Sequence, residues 1–229
     1  MHKLKKIKYW RIFLYMISGF IITGHAAEDF FSKTKPWLIL GGFGYTWYES
    51  AYHGGIGNTF NTQTAIGDGQ TPFGRFATAR QLFFYDNLYF GFESGIQSGN
   101  TFRLNISQDK IMNLGGILPQ ATIKPMLDFL TTMYYQTEKT PTFGVFKLGI
   151  AWRRMQINDR ITFNDLSQAA FDAQLGVGVN ISSKASLSFN YQVIFNGQTT
   201  YTLDNNKSIG YVSNIPTQNG FLFNVLYQL

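Results

Sequence analysis

Between residues 169 and 181 the side chains alternate strictly. Phe171, Ala173, Leu175, Val177, Val179 and Ile181 stand against Asp172, Gln174, Gly176, Gly178 and Asn180. A period of two sends the two sets to opposite faces of a β-strand. The pattern returns at 185–197, where Leu187, Phe189, Tyr191, Val193 and Phe195 face away from Ser186, Ser188, Asn190 and Gln192. It returns again at 88–98, with Leu88, Phe90, Phe92 and Ile96 opposite Gly91, Glu93, Gly95 and Gln97. Five further runs rich in Phe, Tyr, Val, Ile and Thr lie at about 36–48, 73–85, 121–136, 143–157 and 219–229, separated by Gly, Asn, Asp and Ser clusters. Eight strands are therefore predicted.

The connections alternate in length. Asp86-Asn87, Thr137–Thr142 and Ser182-Ser183-Lys184 are short, whereas the links at about 49–72, 99–120, 158–168 and 198–218 are long. Short turns gather at one end of the sheet and long loops at the other. The expectation is an all-β fold, an eight-stranded antiparallel up-and-down barrel with long external loops.

Alternation also fits a soluble ligand-binding barrel, whose apolar face turns inward. Three features favour an apolar exterior and a transmembrane barrel. The polar face consists of Gly, Ser, Asn, Gln and Thr, which suit a narrow lumen better than a solvated surface, where Lys and Glu would dominate. Trp37, Tyr45, Trp47, Tyr85, Tyr135 and Trp152 fall near strand ends, where interfacial girdles need amphipathic rings. Strand-borne charges also fall on the polar face. With Asp86-Asn87 as a two-residue turn, Arg80 is expected opposite Glu93. Lys147, Arg153, Asp128 and Asp172 share the polar faces of their runs. Facing lipid, such a charge would cost about 2–4 kcal/mol at the midplane. Two interior ion-pair tiers are expected, structural in role: Arg80, Glu93 and Lys147 nearer the turns, and Asp128, Arg153 and Asp172 nearer the loops.

Composition sharpens this picture. Charged residues make up 14 % of the 229-residue chain and aromatics 17 %; typical soluble domains carry about 25 % charged residues. Lys3, Lys5, Lys6, Lys8 and Arg11 precede the apolar run Ile12–Ile22 and the small residues of Gly24-His25-Ala26. That order is a secretory signal peptide, with cleavage expected after Ala26 and a mature barrel over 27–229. The apolar run is too short to span a membrane as a helix, which takes roughly 20 residues. Removing residues 1–26 leaves 14 Lys and Arg against 13 Asp and Glu. The basic balance thus belongs to the leader, and nucleic-acid binding loses its support.

Eight amphipathic strands behind a signal peptide, with charges in the lumen, resemble the small OmpA/OmpX-type outer-membrane barrels. The last run, Gly220 to Leu229, resembles their C-terminal assembly signal: Phe223, Val225, Tyr227 and Leu229 share a face, with Leu229 where the family usually ends in Phe. The resemblance covers roughly 35–229 and is architectural. It implies a Gram-negative outer membrane, contact with lipid and lipopolysaccharide, delivery by the barrel-assembly machinery, and a monomer.

Chemistry adds little. There is no cysteine, and His53 is the single histidine after residue 26, so neither a thiolate nor a multi-histidine metal site is available. No cofactor is expected. Outer-membrane lipid A-modifying enzymes place His, Ser and an acid near the rim, and Glu49, Ser50 and His53 offer those types. Neighbours in sequence seldom converge to the roughly 3 Å that a base and nucleophile need. The favoured expectation is non-enzymatic, with a lipid A-modifying enzyme using His53, or a narrow gated channel, as alternatives. An eight-stranded lumen is only wide enough to be filled by side chains, so a general porin is not expected. Specificity is expected in the loops. Loop 99–120 carries apolar Ile106, Ile111, Met112, Leu114, Ile117 and Leu118, with Arg103 and Lys110 as candidate contacts for lipopolysaccharide phosphates.

Overall fold

The computed structural model describes residue 31 and residues 36–49, 59–60, 71–103, 120–137, 140–158, 162–197, 199, 201–204 and 209–229. Residues 1–26 lie outside this set, as do His53 and Lys110. Eight long strands form the frame: β1 (Trp37–Glu49), β2 (Thr71–Tyr85), β3 (Leu88–Gln97), β4 (Met126–Gln136), β5 (Thr142–Asn158), β6 (Leu166–Asn180), β7 (Ala185–Phe195) and β8 (Thr217–Gln228). Each pairs antiparallel with its sequence neighbours, and β8 pairs with β1 from Leu38↔Gln228 to Glu49↔Thr217. The sheet therefore closes on itself as an eight-stranded meander barrel. Closure removes the unpaired edges that an open sheet exposes.

The alternation sorts the chain as predicted. Phe43, Phe76, Phe129, Ile150, Leu175, Val177 and Phe189 stand exposed on the outer wall, while Glu93, Asp128, Lys147, Arg153, Asp172 and Asn190 are buried inside. This inverts the arrangement of a water-soluble barrel. Trp37, Tyr135 and Tyr227 ring the turn end of the exterior, and Tyr45 and Trp152 the loop end. Strands of 10 to 17 residues reach or exceed the 9–11 or so that a tilted strand needs to cross a bilayer.

All four stretches expected as loops contain short strands. Asn100–Arg103 pairs with Gln120–Ile123, which also pairs with the end of β5. The expected run 121–136 is broken at Lys124-Pro125, where proline cannot donate to the ladder. Short strands Thr59–Phe60, Tyr201–Asp204, Ile209–Val212 and Thr162–Phe163 form a second sheet beyond the loop end.

Candidate functional site in the barrel lumen

A charge network spans the inner wall of four consecutive strands. Arg75 on β2 lies 2.6 Å from Glu93 Oε1 on β3. Its Nε donates to Asp128 Oδ2 on β4 at 2.9 Å, and its Nη2 bonds the other oxygen of that carboxylate. Lys147 Nζ on β5 donates to both Glu93 oxygens, at 3.0 and 2.8 Å. All four side chains are essentially inaccessible. Desolvating such groups is costly unless they are paired and hydrogen-bonded, and here two cations and two carboxylates satisfy one another. Gly95 makes room: a Cβ there would come within 2.6 Å of Arg75 Nη2 and 2.8 Å of Asp128 Oδ1.

Arg80 does not join this network, contrary to the sequence expectation. Tyr85↔Leu88 and Phe83↔Phe90 follow the two-residue turn, but the register slips at a bulge between Gln81 and Phe83. Leu82 is the extra residue. Beyond it Ala79 faces Glu93, Arg80 faces Phe92, and Arg80 points outward with its guanidinium 5.2 Å from the Trp37 ring centroid. A bulge re-aims the side chains beyond it, so Arg80 turns outward and Arg75, in register with Gln97, turns inward.

The expected second tier is also rearranged, because Asp128 belongs to the first network. Asp172 accepts from Gln192 Nε2 at 2.8 Å and lies 3.5 Å from Gln174 Nε2, amides rather than a cation. Arg153 Nη1 donates to Asn196 Oδ1 at 2.8 Å and to the Pro216 carbonyl at 2.9 Å; Nη2 donates to Gln218 Oε1 at 3.2 Å. Its guanidinium lies over the Tyr48 ring, 5.9 Å from the centroid. The structure thus brings Glu93, Lys147 and Asp128 together and leaves Asp172 and Arg153 to neutral partners.

Both ends of this polar interior are covered by apolar groups. At the turn end Phe31, six residues before β1, is buried against Leu38, Leu40, Ala77, Tyr134, Phe143, Val145 and Leu226. Its ring lies 4.5 Å from that of Tyr134 and 5.1 Å, edge-on, from that of Phe143. The cavity beside it measures about 10 Å³, at the lower limit for a single water. At the loop end Phe163, Val212 and Ile215 pack on Tyr48, Ile123, Met155 and Ile157. Two amides clasp this cover. Asn164 and Val212 exchange hydrogen bonds of 2.7 and 3.1 Å. Gln168 Oε1 accepts from the Ile215 N–H at 3.0 Å, and Gln168 Nε2 donates to the Ser213 carbonyl at 3.2 Å.

Among the described residues no group of three or more His, Cys, Asp or Glu is placed to hold a metal ion. What the arrangement does chemically is neutralise charge and fill space. Sequence reasoning missed Arg75, Phe31, Gln168 and Asn164. The break of alternation at Leu82-Phe83-Phe84 was the one available signal for the bulge, and hence for Arg75.

The sequence matches no family model and no curated protein. The fold is that of small outer-membrane barrels. Outer membrane protein OprG from Pseudomonas aeruginosa superimposes with a TM-score of 0.50 at 10 % identity, covering 90 % of this chain and 98 % of that one. Ail, the attachment invasion locus protein of Yersinia pestis, gives 0.48 at 9 % identity over 85 % and 99 % of the two chains. Outer membrane protease OmpT from Escherichia coli gives 0.38 at 11 % identity over 87 % and 98 %. At such identities the likeness concerns the fold alone.

Proposed function

We propose that this chain is a non-enzymatic, monomeric outer-membrane β-barrel protein, exported by its leader and acting through its external loops. The observation that carries this reading is the inversion of burial. Phe43 is 66 % exposed and Leu175 65 %, while Arg153 and Asp172 are wholly buried. A hydrocarbon solvent rewards that arrangement and water penalises it. A structural rather than a transport role is supported by the lumen, where Arg75, Glu93, Asp128 and Lys147 bond one another, Asp172 and Arg153 are held by neutral partners, and apolar side chains cover both ends. Lipopolysaccharide at the rim, and assembly machinery reading β8, are the partners this placement implies.

Cell fractionation combined with a heat-modifiability gel tests the reading. A membrane-bound band that migrates faster before boiling than after is the expected result. A soluble band with mobility indifferent to boiling would refute it. Lipid A profiling of a His53→Ala strain tests the non-enzymatic part, and an unchanged acylation pattern is expected.

A further inference from the structure

Among the strand residues whose side chains are described, two charged ones stand on the outward faces of the eight barrel strands, Arg80 on β2 and Arg154 on β5. Arg80 is the one with a built surrounding. It pairs in register with Trp37, the first residue of β1, and lies five residues before Tyr85, where β2 ends at the turn. Its guanidinium stands over the Trp37 ring, and Trp37 meets Phe92 edge-on at 6.2 Å. Leu82 and Phe83 continue the exposed apolar wall beside it. None of the ion pairs among the described residues involves it.

The bulge at Leu82 is what puts Arg80 there. Without it the two-residue turn would direct Arg80 inward, opposite Glu93, where its charge would be compensated. An outward cation is unfavourable in hydrocarbon and tolerated at the interface, where an anion can meet it. Stacking on a ring engages the flat face of a guanidinium and leaves its N–H edge free, the edge that matches a phosphate in bidentate fashion. A tryptophan at the same level suits the headgroup region.

We propose that Arg80 and Trp37 form a binding site for the phosphodiester of a glycerophospholipid in the turn-side leaflet. This rests on the membrane reading above. Arg80 supplies the charge, and Trp37 holds the guanidinium at headgroup depth.

The test uses mature protein carrying Trp47→Phe and Trp152→Phe, so that Trp37 is the one remaining tryptophan, refolded in maltoside micelles. Trp37 emission is followed during titration with dihexanoyl phosphatidylglycerol, a phosphate-free dihexanoyl glycolipid, or inorganic phosphate. A saturable response to the phospholipid alone is expected. Arg80→Gln should raise the half-saturation concentration about tenfold, the size of one charge-assisted hydrogen bond, and Arg80→Lys should fall between. The heat-shifted gel band verifies folding of every variant. Equal responses to phospholipid and glycolipid, or an Arg80→Gln variant that binds as the parent does, would overturn the site while leaving the membrane reading intact. A response to inorganic phosphate at equal concentration would overturn the lipid assignment. Failure of the parent protein to acquire the heat-shifted form would overturn both readings.

Discussion

Arg75 and Glu93 meet at 2.6 Å across β2 and β3, although in register Ala79 stands opposite Glu93 and Arg75 opposite Gln97. Glu93 also holds Lys147, and Arg75 also holds Asp128. Replacing Glu93 by Gln therefore strips Lys147 of both its carboxylate contacts. The expected cost is about 3–5 kcal/mol, that of an uncompensated buried charge. Adding Lys147→Met should recover most of this loss, because Arg75 keeps Asp128. Urea unfolding in lipid vesicles, arranged as a double-mutant cycle, measures the coupling; additive effects would contradict the network.

Gly95 and Gly144 look alike in the sequence and differ in the structure. A Cβ at Gly95 runs into the Arg75–Asp128 pair, whereas one at Gly144 meets nothing within 4 Å. Gly95→Ala should destabilise by about 1–3 kcal/mol through overpacking, and Gly144→Ala should stay within about 0.5 kcal/mol of the parent. Unfolding midpoints of the two variants, compared side by side, check the contrast.

What was legible in the chain followed from local contrast. The strands at 169–181 and 185–197 announce themselves because one face must suit lipid and the other a packed lumen, so polarity flips at every residue. Asp128, Lys147, Arg153 and Asp172 could be assigned to the interior from that parity alone. Register across a hairpin is a different kind of information. One extra residue, Leu82, reverses the face of everything on β2 beyond it, and its mark is only a short apolar run. Phe31 belongs to no periodic segment, and Gln168 reaches Ser213 and Ile215 more than forty residues away. Contacts of this kind depend on closure of the barrel, which no local pattern encodes.

Phe31 is predicted to close the turn-side mouth. Phe31→Ala should cost about 3–5 kcal/mol, as other large buried aromatic truncations do. It should also admit water toward Tyr134 and Gln81. Planar-bilayer recordings should find the parent protein electrically silent and the variant intermittently conducting. A parent protein with steady open-channel current would contradict the proposed seal.

Gln168 is predicted to hold the loop-side cover. In Gln168→Leu the N–H of the buried Ile215 loses its side-chain acceptor, at about 1–3 kcal/mol. Added protease should then cleave within 198–218 faster on cells bearing the variant than on cells bearing the parent protein. Equal cleavage rates would show that the clasp does not hold the cover.

The exposure of apolar side chains on the barrel wall, with polar ones within, is tested most directly position by position. The chain contains no cysteine, so single cysteines can be placed at successive positions from 171 to 179 and spin-labelled in vesicles. Collision rates with oxygen, which partitions into lipid, and with a water-soluble nickel complex are then measured at each site. Labels at 171, 173, 175, 177 and 179 should be relaxed by oxygen and untouched by nickel, with labels at 172, 174, 176 and 178 shielded from both. Nickel access at the odd-numbered positions would place the apolar face in water and contradict the account.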